Sequence, residues 1–196
     1  MYRINEIFYS LQGEGYWTGT PMVFIRFSGC NLHCPFCDTE HGSFREMSAE
    51  DILAAVRQSA GDCPRVCITG GEPLLQVDAA LVDALHAAGH RIHLETNGTL
   101  PAPEGIDWIT CSPKAGVTGL KGTGSVTLPR ADELKLVLAP GIDPALWQDY
   151  PAQWHFLQPC TDPASGAANI GPTVDYILAH PLWRLSLQTH KVLNIR

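Results

Sequence analysis

Seven short apolar segments recur along the sequence, and each of them leads into glycine or into a group of polar residues. Their length and their content of β-branched and aromatic residues are typical of buried strands. The predicted strands are Met22–Phe27, Arg65–Thr69, Arg91–Glu95, Asp107–Cys111, Glu133–Leu138, Trp154–Gln158 and Arg184–Gln188. A chain with this many buried strands must place them in one sheet or barrel, which excludes an all-helical fold.

Helical patterns occupy several of the segments between these strands. Ser48 and Asp51 have the spacing of a helix-capping box, and a weaker helix is predicted over Asp143–Asp149. Apolar residues recur at helical spacing in three places, namely Ile52, Leu53 and Val56, then Leu81, Val82 and Leu85, then Val174, Ile177 and Leu178. Alternating strands and helices predict parallel strands with helical crossovers, and therefore an α/β fold.

The later connections between strands are poor in helical signal. Thr96–Ile106 contains prolines and glycine, and Ser112–Asp132 is rich in glycine and lacks an apolar period. A complete eight-stranded β/α barrel takes roughly 250 residues, whereas this chain has 196. We therefore predict an incomplete parallel β/α barrel with a reduced helical second half, formed as a single domain over residues 1–196.

Charge and hydropathy exclude several classes of function. Thirteen Lys and Arg against twenty Asp and Glu give a net charge of -7, which argues against sequence-independent nucleic-acid binding. No apolar run approaches the roughly 18 residues of a membrane span, and no signal peptide is visible at the N-terminus. The odd number of seven cysteines makes a disulfide framework improbable. These features predict a cytoplasmic protein that binds neither membranes nor nucleic acid.

Polar residues follow the predicted strands at nearly every position where a strand ends. They include Gly29-Cys30, Thr69-Gly70-Gly71-Glu72, Glu95-Thr96-Asn97, Ser112-Pro113-Lys114, Gln158 and Gln188-Thr189-His190. Because the carboxyl ends of parallel strands meet at one rim of a barrel, these residues predict one site assembled from many strands.

Three cysteines, Cys30, Cys34 and Cys37, lie within eight residues directly after the first predicted strand. Thiolates suit iron–sulfur clusters and zinc. Three closely spaced cysteines can hold three irons of a cubane and leave the fourth open, whereas a zinc site would need a fourth ligand such as His33. The remaining cysteines, Cys63, Cys67, Cys111 and Cys160, are scattered at or near strands, and packing instead of metal ligation is the expectation for them.

The cysteine triplet, with Phe36 before its last member, resembles the radical S-adenosylmethionine (SAM) superfamily. Thr69-Gly70-Gly71-Glu72-Pro73 is similar to the GGEP motif of that superfamily. The resemblance implies that Cys30, Cys34 and Cys37 hold a 4Fe–4S cluster whose open iron is chelated by SAM. Paired glycines are also physically suited to such a site, since they permit close approach of the backbone to a ligand.

A narrower resemblance covers the chain from Glu6 to Arg196. Ser10–Gly15, Arg26, Asp38-Thr39 and Ser186–Lys191 resemble the 7-carboxy-7-deazaguanine synthase family. The resemblance implies a carbon–nitrogen lyase of queuosine biosynthesis, which contracts the ring of 6-carboxytetrahydropterin with loss of ammonia. It also implies a magnesium ion, a homodimer, and an electron donor such as a flavodoxin or ferredoxin.

Arg26 lies inside an apolar strand with no acidic residue near it in sequence. Burying an unpaired guanidinium costs several kcal/mol, so that a partner must be supplied, either by a structural ion pair or by the carboxylate of a substrate.

The resemblance assigns roles to further residues and implies no catalytic residue beyond the cluster and SAM. Substrate-binding residues would be Leu11, Gln12, Gly13, Arg26, Thr69, His190 and Arg196, and Thr39 would bind magnesium. SAM-binding residues would be Phe36, Cys37, Asp38, Gly71, Ser112, Pro113, Lys114, Gln158, Pro159, Cys160 and Thr161. Glu95 and Asn97 also lie at the predicted rim and could bind either ligand.

Two other functions remain compatible with part of this pattern. A radical SAM activase, which installs a glycyl radical on a partner protein, would share the triplet and the GGEP turn but would leave Arg26, Gln12-Gly13-Glu14 and His190 unexplained. An electron carrier or a zinc-stabilised binding protein would have no enzymatic activity. Carriers usually ligate every iron with protein, and no fourth ligand for the triplet is evident.

Overall fold

A computed structural model, which describes residues 1–196, contains one continuous sheet of nine strands. The strands are β1 (Tyr2–Leu11), β2 (Pro21–Phe27), β3 (Arg45–Met47), β4 (Arg65–Gly70), β5 (Arg91–Thr96), β6 (Trp108–Cys111), β7 (Ala131–Leu138), β8 (Ala152–Pro159) and β9 (Trp183–Leu185). Their order is β3-β1-β2-β4-β5-β6-β7-β8-β9. From β2 through β4 to β9 every neighbouring pair is parallel, whereas β1 is antiparallel to both β2 and β3. The predicted α/β class is therefore confirmed.

The helices are concentrated in the first half of the chain and at its end. They are α1 (Ala49–Ala60), α2 (Ala79–Ala87), α3 (Ile170–Ala179) and the short α4 (Thr189–Leu193). Ser48 and Asp51 form both bonds of the predicted capping box at the start of α1. Loops alone connect β5 to β6 and β6 to β7, which confirms the reduced second half. None of the helices has the length and apolar character that crossing a membrane would require.

The hydrophobic core is uneven between the two halves. Fifteen buried residues form one cluster where α1 and α2 cover strands β1, β2, β4 and β5. The second half has a cluster of only four buried residues, Leu134, Leu136, Leu157 and Trp183. The first half of the chain therefore supplies most of the burial that stabilises the sheet.

The sheet curls so that its two ends approach each other without pairing. Glu14, which follows β1, bonds to Lys135 of β7 and to Gln158 of β8. The backbone N–H of Tyr16 donates to Glu133 of β7. Tyr16 also stacks against Trp108. Together with neighbouring aromatic rings, these two rings fill one end of the partial barrel. The fold is thus an open, partial barrel, as the sequence predicts.

Several elements differ from the sequence-based expectations. Strands β1 and β3 are not predicted, and the predicted last strand is shorter, since β9 ends at Leu185. The weak helix over Asp143–Asp149 is a single 3₁₀ turn, Pro144–Trp147, since four residues are too few to sustain an α-helix.

A β-bulge explains why β1 lacks a readable strand pattern. The pairing with β2 shifts between Ile4 and Glu6, so that two residues of β1 lie opposite one residue of β2. Ile4 is therefore buried with Phe27 in the core beneath the helices, whereas Glu6 and Phe8 lie on the inner face. The bulge breaks the two-residue alternation by which strands are recognised.

Candidate active site

A cavity of about 740 Å³ lies at the carboxyl ends of the strands and extends over the inner face of β1 and β2. Its walls come from the ends of β4, β5, β6 and β8, from the cysteine-containing loop, and from residues 188–196. The volume is within the range typical of small-molecule sites. The residues predicted to meet at the rim therefore surround a cavity large enough for a small molecule.

The cysteine loop, residues 28–41, follows β2 and brings all three clustered cysteines to this cavity. Cys30 and Cys34 are partly buried, Cys37 is exposed, and none forms a disulfide. The loop is pinned at its base by the Gly29 N–H, which donates to the His41 carbonyl at 2.9 Å. His33 and Lys121 exchange backbone hydrogen bonds of 3.0 and 3.3 Å, which attach the loop to the glycine-rich segment after β6.

These cysteines fit an iron–sulfur cluster in their chemistry and surroundings. No three His, Cys, Asp or Glu side chains in the structure converge tightly enough to hold a single metal ion. A cubane instead takes one thiolate per iron, so its ligands stand around the cluster. Burial raises the pKa of Cys34, and the nearby Lys114 ammonium opposes this shift. Lys114 would likewise balance the charge of bound thiolates.

Lys114 is held by the end of β6. Its Nζ donates to the backbone carbonyl of Ser112 at 2.5 Å and to the Ser112 hydroxyl at 2.7 Å. Burial lowers the pKa of this lysine, while the cysteines and Glu72 oppose the shift. A cation is thereby fixed beside the cysteines by its own strand end.

The paired glycines Gly70 and Gly71 let the end of β4 touch the start of the cysteine loop. A Cβ at Gly71 would overlap the Gly29 carbonyl oxygen, and one at Gly70, which has φ +128°, would overlap the backbone of Phe27. From the sequence, the paired glycines were expected to let the backbone approach a ligand. In the structure they let the end of β4 approach the backbone of Phe27 and Gly29. The glycines therefore set the position of the cysteines relative to β4.

Glu72, the acidic residue of the same turn, is completely buried. Its carboxylate accepts from the Thr96 hydroxyl at 2.8 Å, from the Asn97 N–H at 2.7 Å and from the Leu74 N–H at 2.9 Å. Burial raises its pKa, and these three donors oppose the rise. Glu72 thus ties the end of β4 to the end of β5.

Arg26 has an acidic partner that the sequence does not reveal. Glu6 lies directly opposite it on β1, and the Arg26 Nε donates to Glu6 Oε1 at 2.9 Å. The second Glu6 oxygen accepts from the guanidinium of Arg196. Both guanidinium groups lie over the ring of Phe8, at 5.8 and 5.0 Å. Of the two partners considered for Arg26, a structural ion pair and a substrate carboxylate, the structure therefore contains the ion pair. Arg26 also lines the cavity.

A buried lysine links two carboxylates across the inner face. Lys135 contacts Glu14 and lies 4.0 Å from Glu95 Oε1. Burial alone would raise the pKa of Glu14, but Lys135 and Gln188 hold it below its usual value. The pKa of Lys135 is raised by the same carboxylates in spite of its burial. This part of the cavity therefore presents ionised oxygens to a ligand.

Glu95 is held by two residues of the predicted substrate site. The Gln12 amide donates to Glu95 Oε1 at 2.9 Å, and the Thr69 hydroxyl donates to Oε2 at 3.0 Å. Asn97 instead bonds to Asn31 of the cysteine loop at 3.0 Å. Glu95 and Asn97 thus lie near different parts of the cavity.

The C-terminal segment closes one side of the cavity. The Gly13 carbonyl accepts from the Thr189 N–H at 2.9 Å, and His190 packs where a side chain on Gly13 would lie. Lys191 Nζ and the Gln188 amide bond to Asp38 of the cysteine loop at 2.5 and 3.1 Å. These contacts join both ends of the chain at the site.

The structure brings nearly all the predicted site residues to one cavity. Thr39, Phe36, Asp38, Gly71, Ser112, Lys114, Gln158, Pro159, Thr161, Leu11, Gln12, Gly13, Arg26, Thr69, His190 and Arg196 line it with the three cysteines. Pro113 and Cys160 do not, although the residues on either side of each of them line the cavity. The Cys160 thiol contacts the Thr161 carbonyl instead.

Sequence reasoning missed Glu6 and Lys135, and it assigned no role to Glu14. Glu6 lies on the strand that the bulge conceals. Lys135 alternates with Leu134 and Leu136, and this alternation is the signal for its inner-face position. Glu14 is part of the quoted Ser10–Gly15 segment, but nothing in that segment indicates its buried partner.

Comparisons with known proteins agree with this site. Residues 24–116 match the radical SAM superfamily. The 7-carboxy-7-deazaguanine synthase of Bacteroides thetaiotaomicron is 53% identical over 196 residues and covers 100% of both chains. That of Bradyrhizobium diazoefficiens is 43% identical, over 100% of this chain and 99% of its own. The crystal structure of QueE from Escherichia coli superposes with a TM-score of 0.75 and 31% identity, covering 95% of this chain and 93% of that one.

Proposed function

The chain belongs to the 7-carboxy-7-deazaguanine synthase family of the radical SAM superfamily, and we propose that it catalyses the corresponding reaction. It would convert 6-carboxy-5,6,7,8-tetrahydropterin to 7-carboxy-7-deazaguanine with loss of ammonia, as a carbon–nitrogen lyase. The observation that carries the proposal is that three free cysteines and a pair of arginines line the same cavity. The relatives favour this reaction over that of a glycyl-radical activase.

Cys30, Cys34 and Cys37 would hold the 4Fe–4S cluster, and the adjoining strand ends would hold SAM. When bound, this pair supplies one-electron chemistry that removes a hydrogen atom from the substrate. The residues proposed for SAM are Phe36, Asp38, Gly71, Ser112, Lys114, Gln158, Pro159 and Thr161. The chain would position the two ligands against each other, which is its main contribution to the reaction.

The substrate would lie across the inner face, with its carboxylate toward β1 and β2. Arg26, Arg196 and His190 line that end of the cavity and would bind the carboxylate. Glu14 and Glu95 lie along the inner face and would offer carboxylate oxygens to the N–H donors of the pterin ring. Leu11, Gln12, Gly13 and Thr69 complete this surface.

Thr39 would contribute to a magnesium site, as the family resemblance implies. Thr39 lines the cavity two residues beyond Cys37, and a hydroxyl oxygen suits a hard cation. The neighbouring Asp38 is held by Lys191 and Gln188. Bound there, magnesium would polarise the substrate carboxylate.

The whole chain, residues 1–196, would act as one domain, because both its ends contribute to the cavity. All seven cysteines are free, which suits the reducing cytoplasm. A flavodoxin or ferredoxin would supply the electron at the exposed side of the cysteine loop, near Cys37.

A homodimer is also proposed, with a second copy covering the free edge of the sheet. Leu178 near the end of α3, Leu182 in the following turn and Leu185 on the edge strand β9 are 78%, 50% and 39% exposed. Such a grouping of apolar side chains at an unpaired strand favours self-association. Light scattering should give twice the chain mass for the protein, and a Leu178→Glu, Leu182→Glu variant should be monomeric.

Anaerobic turnover tests the main proposal. The protein with a reconstituted cluster is given reductant, SAM, magnesium and 6-carboxytetrahydropterin, and mass spectrometry looks for 7-carboxy-7-deazaguanine. Product should form with the unmodified chain and with Cys63→Ala, and should be absent with Cys34→Ala. SAM cleavage without this product from a cluster-loaded enzyme would overturn the proposed substrate.

A further inference from the structure

Glu6 reaches the cavity only because β1 contains a bulge. The pairing shift between Ile4 and Glu6 turns Glu6 onto the inner face, opposite Arg26, while Ile4 remains in the core. Bulges beside active sites commonly re-aim one side chain in this way. The local irregularity of β1 therefore places one carboxylate at the arginine end of the cavity.

The bonds of Glu6 leave most of the two guanidinium groups free. Arg26 uses its Nε toward Glu6 Oε1, and Arg196 uses one Nη toward Oε2. No other hydrogen bond to protein is made by the Arg26 side chain. Its two Nη groups, which form the end of the planar fork, remain available to a carboxylate.

The two arginines together carry one more charge than the single carboxylate that pairs with them. The side chains of Glu6, Arg26 and Arg196 sum to a formal charge of plus one, and both guanidinium groups lie over the Phe8 ring. Without Glu6, the two like charges would repel each other and lose their common anchor. The arrangement suits a ligand with one carboxylate.

We propose that Glu6 is a positioning residue. It bonds to the Nε of Arg26 and to one Nη of Arg196, and so orients both guanidinium groups with their remaining N–H groups toward the substrate carboxylate. The proposal rests on the proposed function only for the identity of the carboxylated ligand. Glu6 itself does not contact the reacting atoms. Its effect is expressed through the orientation of the two arginines.

Binding of two pterins to the cluster-loaded protein tests this role. The dissociation constants of 6-carboxytetrahydropterin and of tetrahydropterin, which lacks the carboxylate, are measured anaerobically for the unmodified protein, Glu6→Ala and Glu6→Gln. Glu46→Gln, which removes an exposed carboxylate from β3, is the matched control and should bind both pterins as the unmodified protein does.

Glu6→Ala should weaken binding of the carboxylated pterin at least about tenfold, equivalent to about 1.4 kcal/mol, and that of tetrahydropterin less than about twofold. Glu6→Gln keeps an acceptor for Arg26 and should show a smaller loss with the same selectivity. If Glu6→Ala does not fold, the comparison of the two pterins is made with Glu6→Gln.

Three results would overturn the proposal. Equal weakening for both pterins would mean that Glu6 only supports the fold. Tighter binding of the carboxylated pterin by Glu6→Ala would mean that Glu6 competes with the substrate. No preference for the carboxylated pterin in the unmodified protein would mean that the arginines do not bind this group. The dissociation constants are measured without turnover. A failure of the proposed synthase activity is therefore distinguishable from a failure of the role proposed for Glu6.

Discussion

The contact between Gly71 and Gly29 fixes where the cysteine loop begins, and it leaves no room for a side chain. We expect Gly71→Ala to push the loop away from β4, to lower the free energy of unfolding by about 2–3 kcal/mol, and to reduce cluster loading. Iron and sulfide per chain after anaerobic reconstitution measure the second effect.

Gly171→Ala is the control for this substitution. Gly171 lies in α3 with open space around its would-be Cβ. Alanine there should stabilise the helix by about 0.5–1 kcal/mol and leave cluster loading unchanged. Normal iron content in Gly71→Ala would show that the loop tolerates displacement, contrary to the expectation.

A second residue, Glu133, should make stability depend on pH. Burial raises its pKa from 4.5 to about 7, with Lys135 opposing and Glu95 and Glu14 adding to the rise. Between these values the folded state holds a proton that the unfolded chain releases, so stability is full below about pH 4.5 and is lost as the pH rises to 7.

Urea unfolding at pH 5 and at pH 8 measures this effect. The unmodified protein should lose about 2–3 kcal/mol from this one group over that interval. Glu133→Gln cannot titrate and should lose correspondingly less, whereas Glu104→Gln, at an exposed position, should behave as the unmodified protein. Identical pH dependence in Glu133→Gln would contradict the assignment.

At the scale of elements, Glu72 joins the carboxyl ends of two neighbouring parallel strands, β4 and β5. Its oxygens accept from donors after β4 and at the end of β5. Glu72→Gln replaces one oxygen by an N–H₂ group that faces other donors, and should destabilise the protein by about 2–3 kcal/mol. Chemical denaturation measures the change, with exposed Glu104→Gln again as control. A loss below half a kcal/mol would show that the β4 and β5 ends hold together without this tie.

The elements also show which parts of the fold are readable in the sequence. Parallel strands buried on both faces, such as β4, are continuous apolar runs, and they were predictable within about two residues. Strand β1 was not, because its bulge moves the positions that face the helix-covered core from the parity of Tyr2 and Ile4 to that of Ile7. The five-residue α4 buries no side chain and so has no apolar period to detect.

For the whole molecule, the C-terminal segment matters to the site more than to the core. Gln188, His190, Lys191 and Arg196 line the cavity, while none of the residues of α4 is buried. A chain ending after Leu187 should therefore melt within about 5 °C of the full chain, yet bind 6-carboxytetrahydropterin far more weakly.

Calorimetry and equilibrium binding measure these two quantities. His180→Ala, an exposed change outside the cavity, is the control and should retain binding. Undiminished affinity in the shortened chain would show that residues 188–196 are not part of the substrate site. A large fall in melting temperature would show that they contribute to the fold.

The residues of the candidate site were easier to predict from the sequence than the curvature of the sheet that brings them together. Residues after strands reach the cavity because parallel strands end at one rim, as Ser112 and Gln158 do. The position of Glu6 depends on the β1 bulge, and the contact of Lys135 with Glu14 depends on how far the sheet curls. That curvature arises from contacts between distant segments, which no local pattern encodes.

The bond between Glu6 and Arg196 spans 190 positions of the chain, and this distance has a consequence for biosynthesis. At the usual rate of translation, roughly ten to thirty seconds separate synthesis of Cys37 from synthesis of Arg196. The strands and helices of the larger core leave the ribosome well before the last cavity wall. The cysteine loop is therefore synthesised, together with the larger core, well before residues 188–196 are available to form their wall of the cavity.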